Sequence, residues 1–252
     1  LVETELSNSL EIQTLGRGSD DERMGLDMLI YGRSGAGKTY RAGTAPKPFI
    51  VSPDPTGHKA IPYEVPGKLV RCVQDAVDVL EFFQSGGHVG KADTLIVDGI
   101  SFLYDLYVKE VGQYMVDYHG AKDPDLMPIS GRLKINNKFK QLLRDMIDLT
   151  QINPPERRVH VIMTTLEERV KEDEEAPFNI RPHFGTQTMN QNLPALFTVI
   201  GYIAPYGEDS EGNLTDLRKM LFTEYKGILA RDRTGTFPAM CAEAPNLSEY
   251  LQ

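Results

Sequence analysis

The sequence predicts an α/β fold: a mostly parallel sheet flanked by helices, with antiparallel strands toward the C-terminus. Three observations lead there. Compact apolar runs at residues 28–31, 94–97 and 159–163 lack polar alternation, the pattern of strands covered on both faces. Between them lie segments whose apolar residues recur three and four apart, as on one side of a helix. In the last third the character changes, and runs at 198–204, 218–224 and 226–230 read as antiparallel strands, with Gly212-Asn213 as a hairpin turn in the first connection.

In chain order, residues 1–24 form a polar N-terminal arm with Ser, Asn, Gly and Asp clusters and one short strand at 10–15. Residues 25–252 make one domain, a size that buries a large core. The strand at 28–31 ends at Gly32, and a short helix over 38–42 is stopped by Gly43, Pro46 and Pro48. Residues 49–51 are a second strand and 69–72 a third. Val73, Ala76, Val77, Val79, Leu80 and Phe83 mark a helix that Gly86 and Gly87 end. An aromatic-rich helix over 100–118, a polar loop over 119–130 and an amphipathic helix over 133–149 follow. Residues 166–192 are charged and then polar with little periodicity, and read as a mobile loop.

Composition narrows the function classes. No apolar run nears the roughly 20 residues that span a bilayer, so no membrane partner is expected. Cys72 and Cys241 are far apart and outside any CxxC pattern, which fits a reducing cytoplasm. The five histidines (58, 88, 119, 160 and 183) have no metal-ligand spacing. A formal charge of −9, from 27 basic and 36 acidic residues, is a poor footprint for passive nucleic-acid binding, though a local basic patch or an oligomer can supply one.

The chemistry is concentrated at Gly32-Arg33-Ser34-Gly35-Ala36-Gly37-Lys38-Thr39, which reads GxxxxGKT between a strand and a helix. Glycines let the backbone wrap round phosphates so that successive N–H groups point inward, and the following helix presents its positive end. Lys38 is placed for the β- and γ-phosphates and the Thr39 hydroxyl for Mg²⁺. Tyr40 completes the set of residues expected to hold the nucleotide. A second group for the metal is Asp98, which closes the buried run Leu95-Ile96-Val97-Asp98 as a Walker B aspartate does. An aspartate at a strand end also caps helices, and Asp98 can do both. The cofactors expected are therefore ATP and Mg²⁺.

Four segments together resemble the RecA-like recombinase ATPases, most closely the short phage-type members of the Sak kind, over residues 28–237: the P-loop, TLIVDGISFLYDL (94–106), GRLKINNKFKQLLRDMIDL with VHVIMTT (131–149 and 159–165), and LARDRTGTFP (229–238). The resemblance implies a RecA-like P-loop NTPase core, ATP hydrolysis, action on single-stranded DNA in recombination or annealing, and a homo-oligomer, ring or filament, in a bacterial host cytoplasm. It implies that Arg231 and Arg233 reach as fingers into a neighbour's nucleotide site, where the alternative is a solvated turn beside Asp232. It implies a carboxylate after the second strand that orients the attacking water. An ungapped alignment puts Asp54 where the family carries Glu, and a register shifted by two puts Thr56 there. Thr164 or Thr165 stands where the family places a sensor of the γ-phosphate. The acidic run over 167–175 disfavours phosphate contact in the corresponding DNA loop, which leaves Arg181 and His183 as candidate contacts. The rival readings are a nucleotide-gated scaffold with slow or absent hydrolysis, favoured by the short Asp54 and the charge, and a small-molecule kinase, disfavoured by the lack of an arginine-rich lid.

Overall fold

Strand β1 (Asp27–Gly32) is buried along all six residues, because it lies inside the sheet with side chains packed on both faces. A computed structural model describes residues 24–119, 129–171, 177–205, 217–241 and 243–251. Its other elements are α1 (Lys38–Gly43), β2 (Pro48–Ser52), β3 (Gly67–Leu69), α2 (Val73–Gln84), β4 (Thr94–Asp98), α3 (Ile100–His119), α4 (Ile129–Ile147), β5 (His160–Val170), β6 (Asn179–Pro182), α5 (Gln187–Asn192), β7 (Val199–Pro205), β8 (Arg218–Leu221), β9 (Arg231–Asp232) and β10 (Met240–Cys241). The sheet order is β10-β8-β7-β1-β5-β4-β2-β3, with β6 added to β5 and β9 to β7.

Along that order neighbouring strands from β3 to β7 are parallel, and beyond β7 the pairings turn antiparallel. This is the α/β architecture expected from the apolar runs. Alternation along β1 divides the core. Leu29 and Tyr31 pack with α2, α3 and α4, whereas Met28 and Ile30 pack with α1 and the C-terminal tail. Asp27, itself buried, accepts hydrogen bonds from the Thr198 N–H and hydroxyl, the latter at 2.6 Å, and so ties the start of β7 to the start of β1. Among the described residues no helix is long and apolar enough to cross a membrane.

Several boundaries depart from the sequence expectations. The third strand is Gly67–Leu69 rather than 69–72, because Asp75 Oδ2 accepts the Arg71 and Cys72 N–H groups at 2.8 and 3.3 Å and starts α2 there. The described residues of 166–192 are not one loop. Strand β5 runs on to Val170 and pairs antiparallel with β6, and α5 follows with Thr186 as its N-cap. This ribbon projects past the sheet, so its side chains are polar and its order comes from the ladder, which periodicity does not register. No strand covers 226–230: Lys226 (φ 48°) and Gly227 (φ 76°) reverse the chain, leaving single bridges from Ile228 to Ile180 and Tyr225. The short β9 and β10 carry too few residues to show a period, and β7 is parallel to β1 and antiparallel only on its other side. The arm with its strand at 10–15, the turn at Gly212-Asn213 and most of the 119–130 loop lie outside the described residues.

The chain ends against the back of α1. Leu247, fully buried, donates its N–H to Thr44 Oγ1 at 2.9 Å, and the Ser248 N–H reaches the Thr44 carbonyl at 3.1 Å. Phe222, Phe237 and Tyr250 stack at 4.4 and 5.0 Å. Leu247→Ala is expected to destabilise the protein by about 2–5 kcal/mol, the usual cost of a core leucine truncation. Urea unfolding checks this, and an unchanged midpoint would mean that the tail is not part of the fold.

Candidate nucleotide site

The site lies where β1, β2, β4 and β5 end, the edge at which parallel α/β sheets bind ligands. Register brings its parts together. Thr164 of β5 is paired with Asp98 of β4 on one side and with Ile30 of β1 on the other, two residues before the phosphate loop begins. A cavity of about 330 Å³ is lined by Ser34, Gly37, Lys38, Thr39, Asp54 and Asp98, among others.

The loop turns on Gly35 (φ 75°) and Gly37 (φ 92°), both in the left-handed region that favours glycine, and Gly37 is the N-cap of α1. Lys38 Nζ folds back to donate to the carbonyls of Gly32 (3.0 Å) and Arg33 (2.7 Å). Burial lowers its pKa, against the pull of the Asp98 and Glu167 carboxylates. The Thr39 hydroxyl lies 2.8 and 2.9 Å from the two oxygens of Asp98. Asp98 is 4 % exposed, and its pKa is raised by burial, an effect that the Thr164 and Thr39 hydroxyls and Lys38 oppose.

Between the two threonines at the end of β5 the geometry discriminates. Thr164 Oγ1 donates to Asp98 Oδ1 at 2.7 Å and accepts the Gly99 N–H at 2.9 Å, while the Thr165 hydroxyl bonds the His183 carbonyl. Thr164 therefore positions Asp98, its proton already committed to that carboxylate. Asp54 and Thr56 both line the cavity. Asp54 Oδ1 accepts from the Thr56 N–H (2.8 Å) and hydroxyl (2.9 Å). Partial burial raises the Asp54 pKa, but the hydrogen bonds from Thr56 and Gly57 outweigh it and leave the carboxyl below its ordinary range. That makes Asp54 an anion and a hydrogen-bond acceptor more than a proton store.

Other expected residues lie apart from the cavity. Tyr40 is 40 % exposed, with the Arg41 guanidinium 5.2 Å from its ring centre. Arg231 and Arg233 are far from the loop of their own chain. Arg231 pairs with Ile200, which pairs with Leu29, so it stands three strand positions, about 10 Å, short of Gly32 and two strands to the side. The chain then runs further from the loop. Arg231 Nη2 donates to the carbonyls of Pro194 and of Phe197 (2.7 Å) within its own chain. Arg233 is exposed. Arg181 and His183 belong to β6 and its exit, and His183 Nδ1 lies 3.5 Å from Glu168 Oε2.

Two residues escaped the sequence reading. Glu167, within the acidic run of the segment read as a mobile loop, has a side chain only 7 % exposed. It takes Arg33 Nε at 3.2 Å, Arg169 Nε at 3.3 Å and the Tyr202 hydroxyl at 3.0 Å, linking the phosphate loop to the β5–β6 ribbon. Nothing in the local pattern signals this. The other is Gly57, where a Cβ would stand 2.8 Å from Asp98 Oδ2 and 3.1 Å from Asp54 Oδ2. Its lack of a side chain keeps open the space between the two carboxylates.

A family model described as AAA domain matches residues 24–234. The chain belongs to that family. It is a nucleotide-binding domain of the P-loop NTPase type, and the matched span contains every residue of the cavity wall. No curated protein matches the chain.

The AAA domain's donor set fits a hard cation beside a phosphate: one buried carboxylate, one hydroxyl and an opening kept free by Gly57. Gly57→Ala should lower affinity for Mg-ATP by about tenfold or more while leaving the melting temperature of the ligand-free protein within a few degrees. Calorimetric titration of the variant checks this, and wild-type affinity would show that the space is not used.

Proposed function

We propose that the protein is a Mg²⁺-dependent ATPase of RecA-like, phage-type character that assembles side by side and acts on single-stranded DNA in recombination or annealing. The observation that carries the ATPase reading is the convergence of Lys38, Thr39, Asp98 and Asp54 on one cavity at the ends of four strands. Thr39 and Asp98 would hold the metal ion, which supplies charge neutralisation at the phosphates. Lys38 exchanges its two loop carbonyls for β- and γ-phosphate oxygens. Asp54, kept ionised, orients water by accepting a hydrogen bond; phosphoryl transfer through a loose transition state asks for placement more than for a strong base.

Assembly is supported by the position of Arg233, exposed at the end of the sheet opposite its own phosphate loop. From there a guanidinium helps phosphoryl transfer only by reaching a second subunit's site, a contribution of about 10³ or more in arginine-finger systems. Arg231 has the supporting part of holding the segment in place. DNA action is supported by the surface next to the β5–β6 ribbon. Phe178 and Tyr225 are exposed, with Lys171 Nζ 4.9 Å and Lys226 Nζ 5.1 Å from their ring centres, a combination suited to bases and phosphates. A nucleotide-gated scaffold with slow turnover is the second reading, favoured by the low proton affinity of Asp54.

Turnover of ATP with and without single-stranded DNA separates the two, since the scaffold gives little in either condition. Arg233→Ala is expected to bind ATP normally, unfold at the wild-type midpoint and turn over poorly. Arg231→Ala should lose about 1–3 kcal/mol of stability as well, through its carbonyl contacts. Mixing Arg233→Ala with Lys38→Ala protein should restore part of the activity, because each supplies the half-site the other lacks. Full activity in isolated wild-type monomers would overturn the shared site.

A further inference from the structure

Arg218 opens β8 opposite Pro205 of β7, on the side of β1 away from Asp98. Its backbone is pinned twice, by that pairing and by its carbonyl accepting the Ala244 N–H at 2.5 Å. From there the side chain lies over the phosphate loop. A Cβ built on Gly37 would stand 3.8 Å from Arg218 Cγ and 3.9 Å from Nε, with Ile203 Cδ1 at 3.9 Å. A cation carried on a strand is thus packed against the one loop residue that caps α1.

The path of a bound nucleotide follows from the same geometry. The terminal phosphate end belongs with Thr39, Asp98 and Asp54, on the side closed by β5, β4 and β2. A nucleotide with its terminal phosphate there would extend its inner phosphates away from Asp98, and Gly37 with Arg218 beyond it lies on that side. We propose that Arg218 is a nucleotide-binding residue acting within its own chain, on the inner phosphates of an adenosine di- or triphosphate. This rests on the ATP-site reading above and adds a second cation to Lys38 at the opposite end of the phosphate chain. Arg218 Nη1 donates to the Leu217 carbonyl at 3.1 Å. A guanidinium carries five donors in a planar fork that matches phosphate oxygens two at a time, which an ammonium does not, and a nucleotide would compete for them with the contacts Arg218 makes within the chain.

The test is calorimetric titration of ADP and of ATP into dilute full-length protein carrying Arg218→Met, which keeps the aliphatic stem over Gly37, and Arg218→Lys. Arg218→Met should lose about ten- to a hundredfold in affinity for both nucleotides alike, the worth of a charge-assisted hydrogen bond. Arg218→Lys should recover part of it, and the ligand-free variants should still unfold in a single cooperative transition. ADP affinity within about twofold of wild type, or a loss confined to ATP, would overturn the assignment. Lys38→Ala serves as the independent control: if it leaves ATP affinity unchanged in a folded protein, the site reading itself fails, whatever Arg218 does.

Discussion

A carboxylate buried to 4 % exposure organises the functional end of this protein. Removing such a group from water costs several kcal/mol unless hydrogen bonds and a cation compensate. Asp98 receives two hydroxyl bonds, one from Thr39 on α1 and one from Thr164 on β5, with Lys38 as the nearby positive charge. Those contacts come from two elements, α1 and β5, that flank Asp98 on β4, so the carboxylate is satisfied only when all three are assembled. The residual penalty, seen in its raised pKa, is what a bound cation would relieve.

The insertion of β5 between β1 and β4 follows from that requirement. It places a short polar side chain, Thr164, level with Asp98, where a larger residue would fill the cavity. It also carries the strand beyond the sheet, so that Glu167 meets Arg33 of the loop and Arg169 of the ribbon within a few residues of the phosphate site. A nearly buried carboxylate shared by two arginines and a tyrosine ties the loop's conformation to that of the ribbon. Any nucleotide that draws Arg33 toward its phosphates must compete with Glu167 for the same guanidinium.

On the far side of β1 the sheet turns antiparallel, and the consequences are again electrostatic. Strand β7 brings Ile203 and β8 brings Arg218 against the loop from the side opposite Asp98. The phosphate loop thereby has the Asp98 carboxylate on one side and the Arg218 side chain on the other. The arginines after β8 divide their labour by burial. Arg231 is engaged through Nη2 by carbonyls of its own chain, and Arg233 is left exposed two residues later.

The sequence by itself determined the α/β class, the phosphate loop from Gly32 to Thr39, and Asp98 as its partner, because each is written in a local pattern: apolar runs, glycine spacing and a carboxylate at a strand end. It also placed Asp54 and Thr164 near the site through chain order. The tertiary structure alone decided which threonine of the pair faces Asp98, because neighbouring residues on a strand point to opposite faces and the choice depends on register with β4. It decided that Glu167 is a buried hub and not part of a solvated acidic run, since its partners are distant in sequence. It decided as well that 166–170 and 179–182 pair as a two-stranded ribbon with a helix at 187–192, that Arg231 is engaged within its own chain, and that Arg218 packs near Gly37 of the phosphate loop. Each of these depends on side chains brought together by strand pairing across long stretches of chain, and no periodicity within a single segment records that.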